Sequence, residues 1–144
     1  MRDFIKLVVA AFLSTIFLST AYGIINLTPK SEQEPNIYYF GFTDTFVFTF
    51  IYTFPVYIVV GIIFSYLIDM MANKMQTTKV YVSKLAMYSL VGVIPALAFY
   101  FLFTGIKLDY RLLFYFFALG IFASNIFYHV LLLINRILNK QKLN

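Results

Sequence analysis

Asp, Glu, Lys and Arg are missing from four long segments of this chain: Leu7 to Pro29, Thr45 to Ile68, Leu85 to Ile106 and Leu112 to Asn135. Each segment is closed at both ends by a charged residue, in turn Lys6 and Lys30, Asp44 and Asp69, Lys84 and Lys107, and Arg111 and Arg136. A bilayer's hydrocarbon core is about 30 Å thick, and a helix rising about 1.5 Å per residue crosses it in about 20 residues. No water is available there to satisfy the backbone, so runs of this length span as helices. The pattern predicts an all-α, integral membrane four-helix bundle with spans near 7–27, 45–68, 85–106 and 112–135. The longest stretch between spans, Thr28 to Asp44, has 17 residues and is too short to fold alone, so residues 1–144 form a single membrane domain.

Composition agrees. Apolar residues make up 62% of the chain and charged residues 12%, against about 45–50% and about 25% in soluble domains. Too few polar residues remain to cover four such helices in water. With no cysteine and one histidine, neither a thiolate nor a histidine-cluster metal site is available. No phosphate-binding loop or nucleophile–base pair is present either. The sequence therefore points to no catalytic, metal or cofactor-binding residue.

Lys and Arg set the orientation. The two termini and the second loop hold eight of the 11 positive residues: Arg2, Lys6, Lys74, Lys79, Lys84, Arg136, Lys140 and Lys142. The first and third loops hold Lys30, Lys107 and Arg111. Both termini are expected to be cytoplasmic. Attraction to anionic inner-leaflet lipid accounts for the net charge of +5 without a nucleic-acid partner. The first span also reads as a signal peptide, with small residues at Ser19-Thr20-Ala21, but its apolar run continues to spanning length. Aromatic residues at Tyr38, Tyr39, Phe40 and Phe42 suit the outer headgroup level. Asp44 is expected to cap the second span and Asp109 the fourth.

Lipid is as apolar as leucine, so the helices must associate through small residues and hydrogen bonds. Candidate packing positions are Gly61 and Ser65 in the second span, Gly92 in the third, and Gly120 and Ser124 in the fourth. The first span offers Ala11, Thr15, Ser19 and Gly23. In the second span a row of Thr45, Thr49 and Thr53 precedes a row of Tyr57, Gly61, Ser65 and Asp69. A spacing of four drifts about 40° per step on a helix of 3.6 residues per turn, which puts the two rows on different faces. Pro55 and Pro95 each remove a backbone donor inside a span and are expected to bend it.

Polar chemistry inside the spans is sparse. Asn125 and His129 lie one turn apart on the fourth span and are expected to face the bundle interior or an oligomer interface together, with Ser, Thr or Tyr partners. Asp69 ends the second span, where the helix dipole disfavours a carboxylate. It therefore needs a cation, for which Lys74, Lys84 and Arg136 are at hand.

The stretch Phe54-Pro55-Val56-Tyr57 through Gly61, Ser65 and Asp69, followed by Tyr81 to Gly92, covers about a quarter of the chain. It resembles a group of small four-span membrane proteins of Bacillus and related Firmicutes. That resemblance implies a fold and a bacterial inner-membrane location but no mechanism. Small multidrug transporters carry a first-span glutamate, quinone reductases of similar size carry cysteines, and fluoride channels carry a glycine-rich motif followed by arginine. All three signatures are missing here.

The leading expectation is a non-enzymatic protein acting through contacts with lipid, with a membrane-protein partner or with a second copy of itself, in an accessory or self-protection role. The alternative is a homo-oligomeric transporter or channel lined by Asn125, His129 and the threonine row. A further alternative is an intramembrane enzyme using His129 as acid and base.

Overall fold

The computed structural model describes residues 2–74, 80–105 and 108–140. Lys79, Ile106, Lys107 and Lys142 lie outside them. Helix α1 runs Arg2–Ile25, and a short 3-10 turn at Lys30–Glu32 lies in the loop after it. The second span is α2 (Phe42–Val56), a π-helical turn at Tyr57–Gly61, and α3 (Ile62–Lys74). The third is α4 (Val80–Thr104) and the fourth α5 (Tyr110–Lys140). Among the described residues there is no strand, and the four spanning segments are long and apolar enough to cross a membrane. Large apolar side chains point outward, with Leu90 72%, Leu102 75% and Phe114 74% exposed. Such a surface suits lipid rather than water.

The proximal end carries the start of α1 and the end of α5, and the distal end carries the α1–α2 loop, the end of α4 and the start of α5. At the distal end Gly105 takes a left-handed φ of 63°. Its N–H donates to Phe101 O at 2.9 Å, the usual glycine device for ending a helix. Asp109 then accepts from the N–H groups of Arg111 (2.9 Å) and Leu112 (3.2 Å), so it caps α5 as expected. Asp44 does not cap α2 in the way expected. The N-cap is Gly41, and Asp44 sits one turn in, where its carboxylate accepts from Gly41 N–H at 3.0 Å. The helix starts earlier because Phe42 packs over Gly23 of α1, where a Cβ would come within 3.0 Å of the Phe42 ring.

The small-residue row of α1 faces inward. Ala11, Thr15 and Ser19 are fully buried, and Gly23 is buried as well. The Thr15 hydroxyl returns to Ala11 O at 2.8 Å. On its other contact, Phe12 of α1 meets Phe50 and Phe54 edge-on, at 6.0 and 6.1 Å between ring centroids. These two rings belong to a ladder along α2.

Helices α4 and α5 cross at Gly92 and Gly120. A Cβ on Gly92 would run into the backbone oxygen of Gly120 and the Ser124 hydroxyl. One on Gly120 would run into Gly92 O and come within 2.7 Å of Ala96 Cβ. Gly92, Gly120 and Ser124 thus lie where helix packs on helix. Gly61 does so differently, since its open side is filled by the Phe127 ring at 3.4 Å rather than by another backbone.

Pro95 leaves α4 continuous. Pro55 does not leave its span regular, because the π turn begins two residues after it. Without an N–H, Pro55 cannot bond back to Ile51 O, and its ring crowds that carbonyl. A wide i→i+5 turn is one way to absorb this. The wide turn also offsets the drift of a four-residue spacing. Thr49 and Thr53 of the first row and Tyr57 and Gly61 of the second border one cavity.

Candidate functional site

The residues singled out from the sequence fall into three places. The first is a polar clamp at the proximal end. The Ser65 and Tyr88 hydroxyls, both buried, are 2.7 Å apart and tie α3 to α4. One turn below, Lys84 Nζ donates to Asp69 Oδ1 at 2.5 Å, so Lys84 is the cation that Asp69 needs. Side-chain exposures of 24% for Lys84 and 51% for Asp69 mark this as an interfacial pair. Tyr88 stacks on Tyr128 with centroids 4.8 Å apart. Ser65 is therefore a hydrogen-bonding position as well as a small one.

The second place splits the pair on α5. Asn125 is partly buried and faces α4, where its Nδ2 donates to Ser89 Oγ at 3.2 Å. Its Oδ1 lies at the same distance from that hydroxyl, which also reaches Leu85 O at 2.9 Å. His129 is exposed on the outside of the bundle, against the expectation that both would face inward. The interior positions of that turn are taken by Phe127 (1% exposed) and Tyr128 (3%). The imidazole meets its polar needs at the periphery. Nδ1 lies 2.8 Å from Asn125 O, and Nε2 lies 3.1 Å from the Tyr81 hydroxyl. Asn125 and His129 do not border the cavity that Thr49 and Thr53 border, so the residues expected to line a polar path do not converge. The two threonine hydroxyls bond to their own helix, at Thr45 O and Thr49 O, both at 2.7 Å.

The third place was not read from the sequence. A cleft of about 290 Å³ separates α2 from α4 in the distal half of the bundle. Its α2 side presents Phe48, Tyr52 and Val56, continued by Val60 on the π turn, at intervals of four. Its α4 side presents Val91, Pro95, Phe99 and Phe103. Helix α5 forms the floor with Phe116, Leu119 and Ala123. Below the π turn α3 closes onto α4 through the polar clamp; above it α2 packs on α1 and leaves α4. The Tyr57 hydroxyl, at the base of the cleft, donates to Ala123 O at 2.8 Å and so anchors the π turn to α5. The lining is overwhelmingly apolar. Pro55 was the sequence signal, but only as a bend.

A second space of about 420 Å³ lies at the distal rim, between the end of α1 and the start of α2. It is bordered by Asn26, Thr28, Tyr39 and Thr45, and it shares Tyr22, Phe48 and Thr49 with the cleft. On the same rim the Tyr38 hydroxyl donates to Asp44 Oδ2 at 2.9 Å. This hydrogen bond, together with the carboxylate's charge, holds the Tyr38 phenol above its ordinary pKa.

No family model, curated protein or solved structure matches the chain. The fold alone defines its class: an all-helical, four-span, multi-pass membrane protein with a side opening between its second and third spans.

Proposed function

We propose that this protein is a non-enzymatic component of a bacterial cell membrane, with both termini cytoplasmic, that acts by holding an apolar chain of a membrane lipid in the α2–α4 cleft. Placement of the termini rests on the eight-to-three distribution of Lys and Arg. The bacterial setting rests on the resemblance of the Pro55-to-Gly92 stretch to small four-span proteins of Firmicutes.

The cleft carries the lipid reading. An aqueous path needs polar walls, whereas the surface of this opening is overwhelmingly apolar and lies within the spanning region, and the Thr49, Thr53 and Tyr57 hydroxyls that border it are spent on backbone oxygens. Its volume of about 290 Å³ sits at the lower end of small-molecule sites, about 300–1,000 Å³, and suits part of a chain rather than a whole lipid. In a bilayer the surrounding solvent is itself acyl chains, so occupancy requires no passage through water.

Photolysis of the reconstituted protein with a lipid bearing a diazirine in its acyl chain tests this. Adducts are expected on Val56, Val60 and Phe99, and Val60→Trp, which fills the cleft, should lower them about tenfold. Adducts confined to outward residues such as Leu102, and indifferent to Val60→Trp, would overturn the reading.

A further inference from the structure

We infer that the bound lipid carries an uncharged, hydroxyl-rich head group, seated in the distal rim space while one of its chains occupies the cleft. This inference rests on the lipid reading of the cleft. Two features of the rim support it.

The first is continuity. The apolar cleft and the more polar rim space adjoin along Tyr22, Phe48 and Thr49, which line both. An amphipath lying along these residues has almost purely apolar surface on the cleft side, and on the rim side a lining that includes Asn26, Thr28, Tyr39 and Thr45. The rim is also where an outer-leaflet head group would lie if the termini are cytoplasmic.

The second is charge. Among the described residues, no charged residue borders the rim space; Asn26, Thr28, Tyr39 and Thr45 border it instead, with Asn26 Nδ2 donating to Tyr22 O and the Tyr39 hydroxyl accepting from Glu34 N–H. A phosphate head group would be expected to find Arg or Lys, and here it finds neither. The loop beside the rim sets Lys30 against Glu32, Glu34 and Asp44, a field that repels an anion. Asp44 is itself engaged by Gly41 N–H and the Tyr38 hydroxyl, so it is already used locally rather than left to bind a cation. Neutral donors and acceptors at a bilayer rim match a glycosyl or glycerol head, whose hydroxyls both donate and accept.

The test uses the full chain in mixed micelles with a monoglycosyl diacylglycerol and a phosphatidylglycerol of identical acyl chains. Native mass spectrometry reads the lipid retained by the protein. The glycosyl lipid should be retained about tenfold over the anionic one, and Asn26→Leu or Thr45→Val should bring that ratio close to one. Val60→Trp should lower retention of both lipids. Thr45→Val keeps the shape of its side chain, so it carries the test alone if Asn26→Leu does not fold. Equal retention of the two lipids by the unmodified protein, or preference for the anionic one, with Val60→Trp still lowering both, would overturn the head-group inference and leave the cleft reading intact. Retention of both lipids unchanged by Val60→Trp would overturn the cleft reading and the inference with it.

Discussion

Helix α4 meets its two neighbours in opposite ways. Against α5 it makes a seam in which Gly92 and Gly120 bring backbone onto backbone, with Ala96 and Ser124 beside them. Against the second span it is tied below the π turn, by Ser65–Tyr88 and Asp69–Lys84, and above that turn it opens into the cleft. In a solvent as apolar as the side chains, helices close where small residues or hydrogen bonds draw them together. The distal half of the second span presents neither to α4: its threonines bond to their own backbone, and the rest of its cleft face is bulky. The gap follows from the same rule that makes the seam.

Adding one methyl group to each of two glycines separates the regions most sharply. At Gly92 the new Cβ meets the Gly120 backbone, which cannot turn aside, so the helices must move apart. Gly92→Ala should cost about 2 kcal/mol, within the usual range for overpacking, and a thermal melt in detergent would show it. A melt unchanged by this substitution would mean that the seam is looser than described.

The clamp comes next. Tyr88→Phe leaves the stack on Tyr128 but strips the partner from buried Ser65. A loss of about 1–2 kcal/mol is expected in the same assay. Because the clamp is what closes the proximal half, lipid photolabelling should also extend toward Ser65 in this variant. Labelling that stays confined to the distal half would show that the clamp does not set the lower limit of the cleft.

His129→Leu should cost less, about 0.6 kcal/mol, the average for an interhelical hydrogen bond in a membrane. The ring is peripheral, and its interhelical partner is the exposed Tyr81 hydroxyl. A cost near 2 kcal/mol would place His129 in a buried interface. The smallest effect belongs to Gly61→Ala. Its Cβ would touch the Phe127 ring at 3.4 Å, an ordinary contact, and stability should change by less than about 0.5 kcal/mol.

These differences also mark how far the sequence could be read. The four spans were legible because charges bracket them, and the clamp was foreshadowed by the Ser65–Asp69 spacing together with the dipole's objection to a carboxylate. Inward and outward positions on α5 were not legible. Around Phe127, Tyr128 and His129 the helix is apolar or aromatic on several sides, so hydrophobicity cannot say which side meets lipid. Spacing correctly joined Asn125 to His129, yet the bond runs from the ring to the Asn125 backbone, and the two side chains reach different surroundings. Glycine identity did not distinguish Gly61 from Gly92, since its role depends on what the partner helix brings. The cleft depends on a backbone irregularity after Pro55, whose form as a π turn cannot be read from proline alone.

The separation of α2 from α4 is tested most directly by fluorescence, because the chain has no tryptophan of its own. Three single-tryptophan variants, Phe99→Trp, Tyr100→Trp and Phe101→Trp, place the probe at nearly one depth. One faces the cleft, one is fully buried and one is 51% exposed on the outside. In bilayers with bromine on the acyl chains, the Phe99→Trp probe should be quenched nearly as strongly as Phe101→Trp, and Tyr100→Trp much less. Quenching of Phe99→Trp as weak as that of Tyr100→Trp would show that lipid chains do not enter between α2 and α4, which would contradict the account.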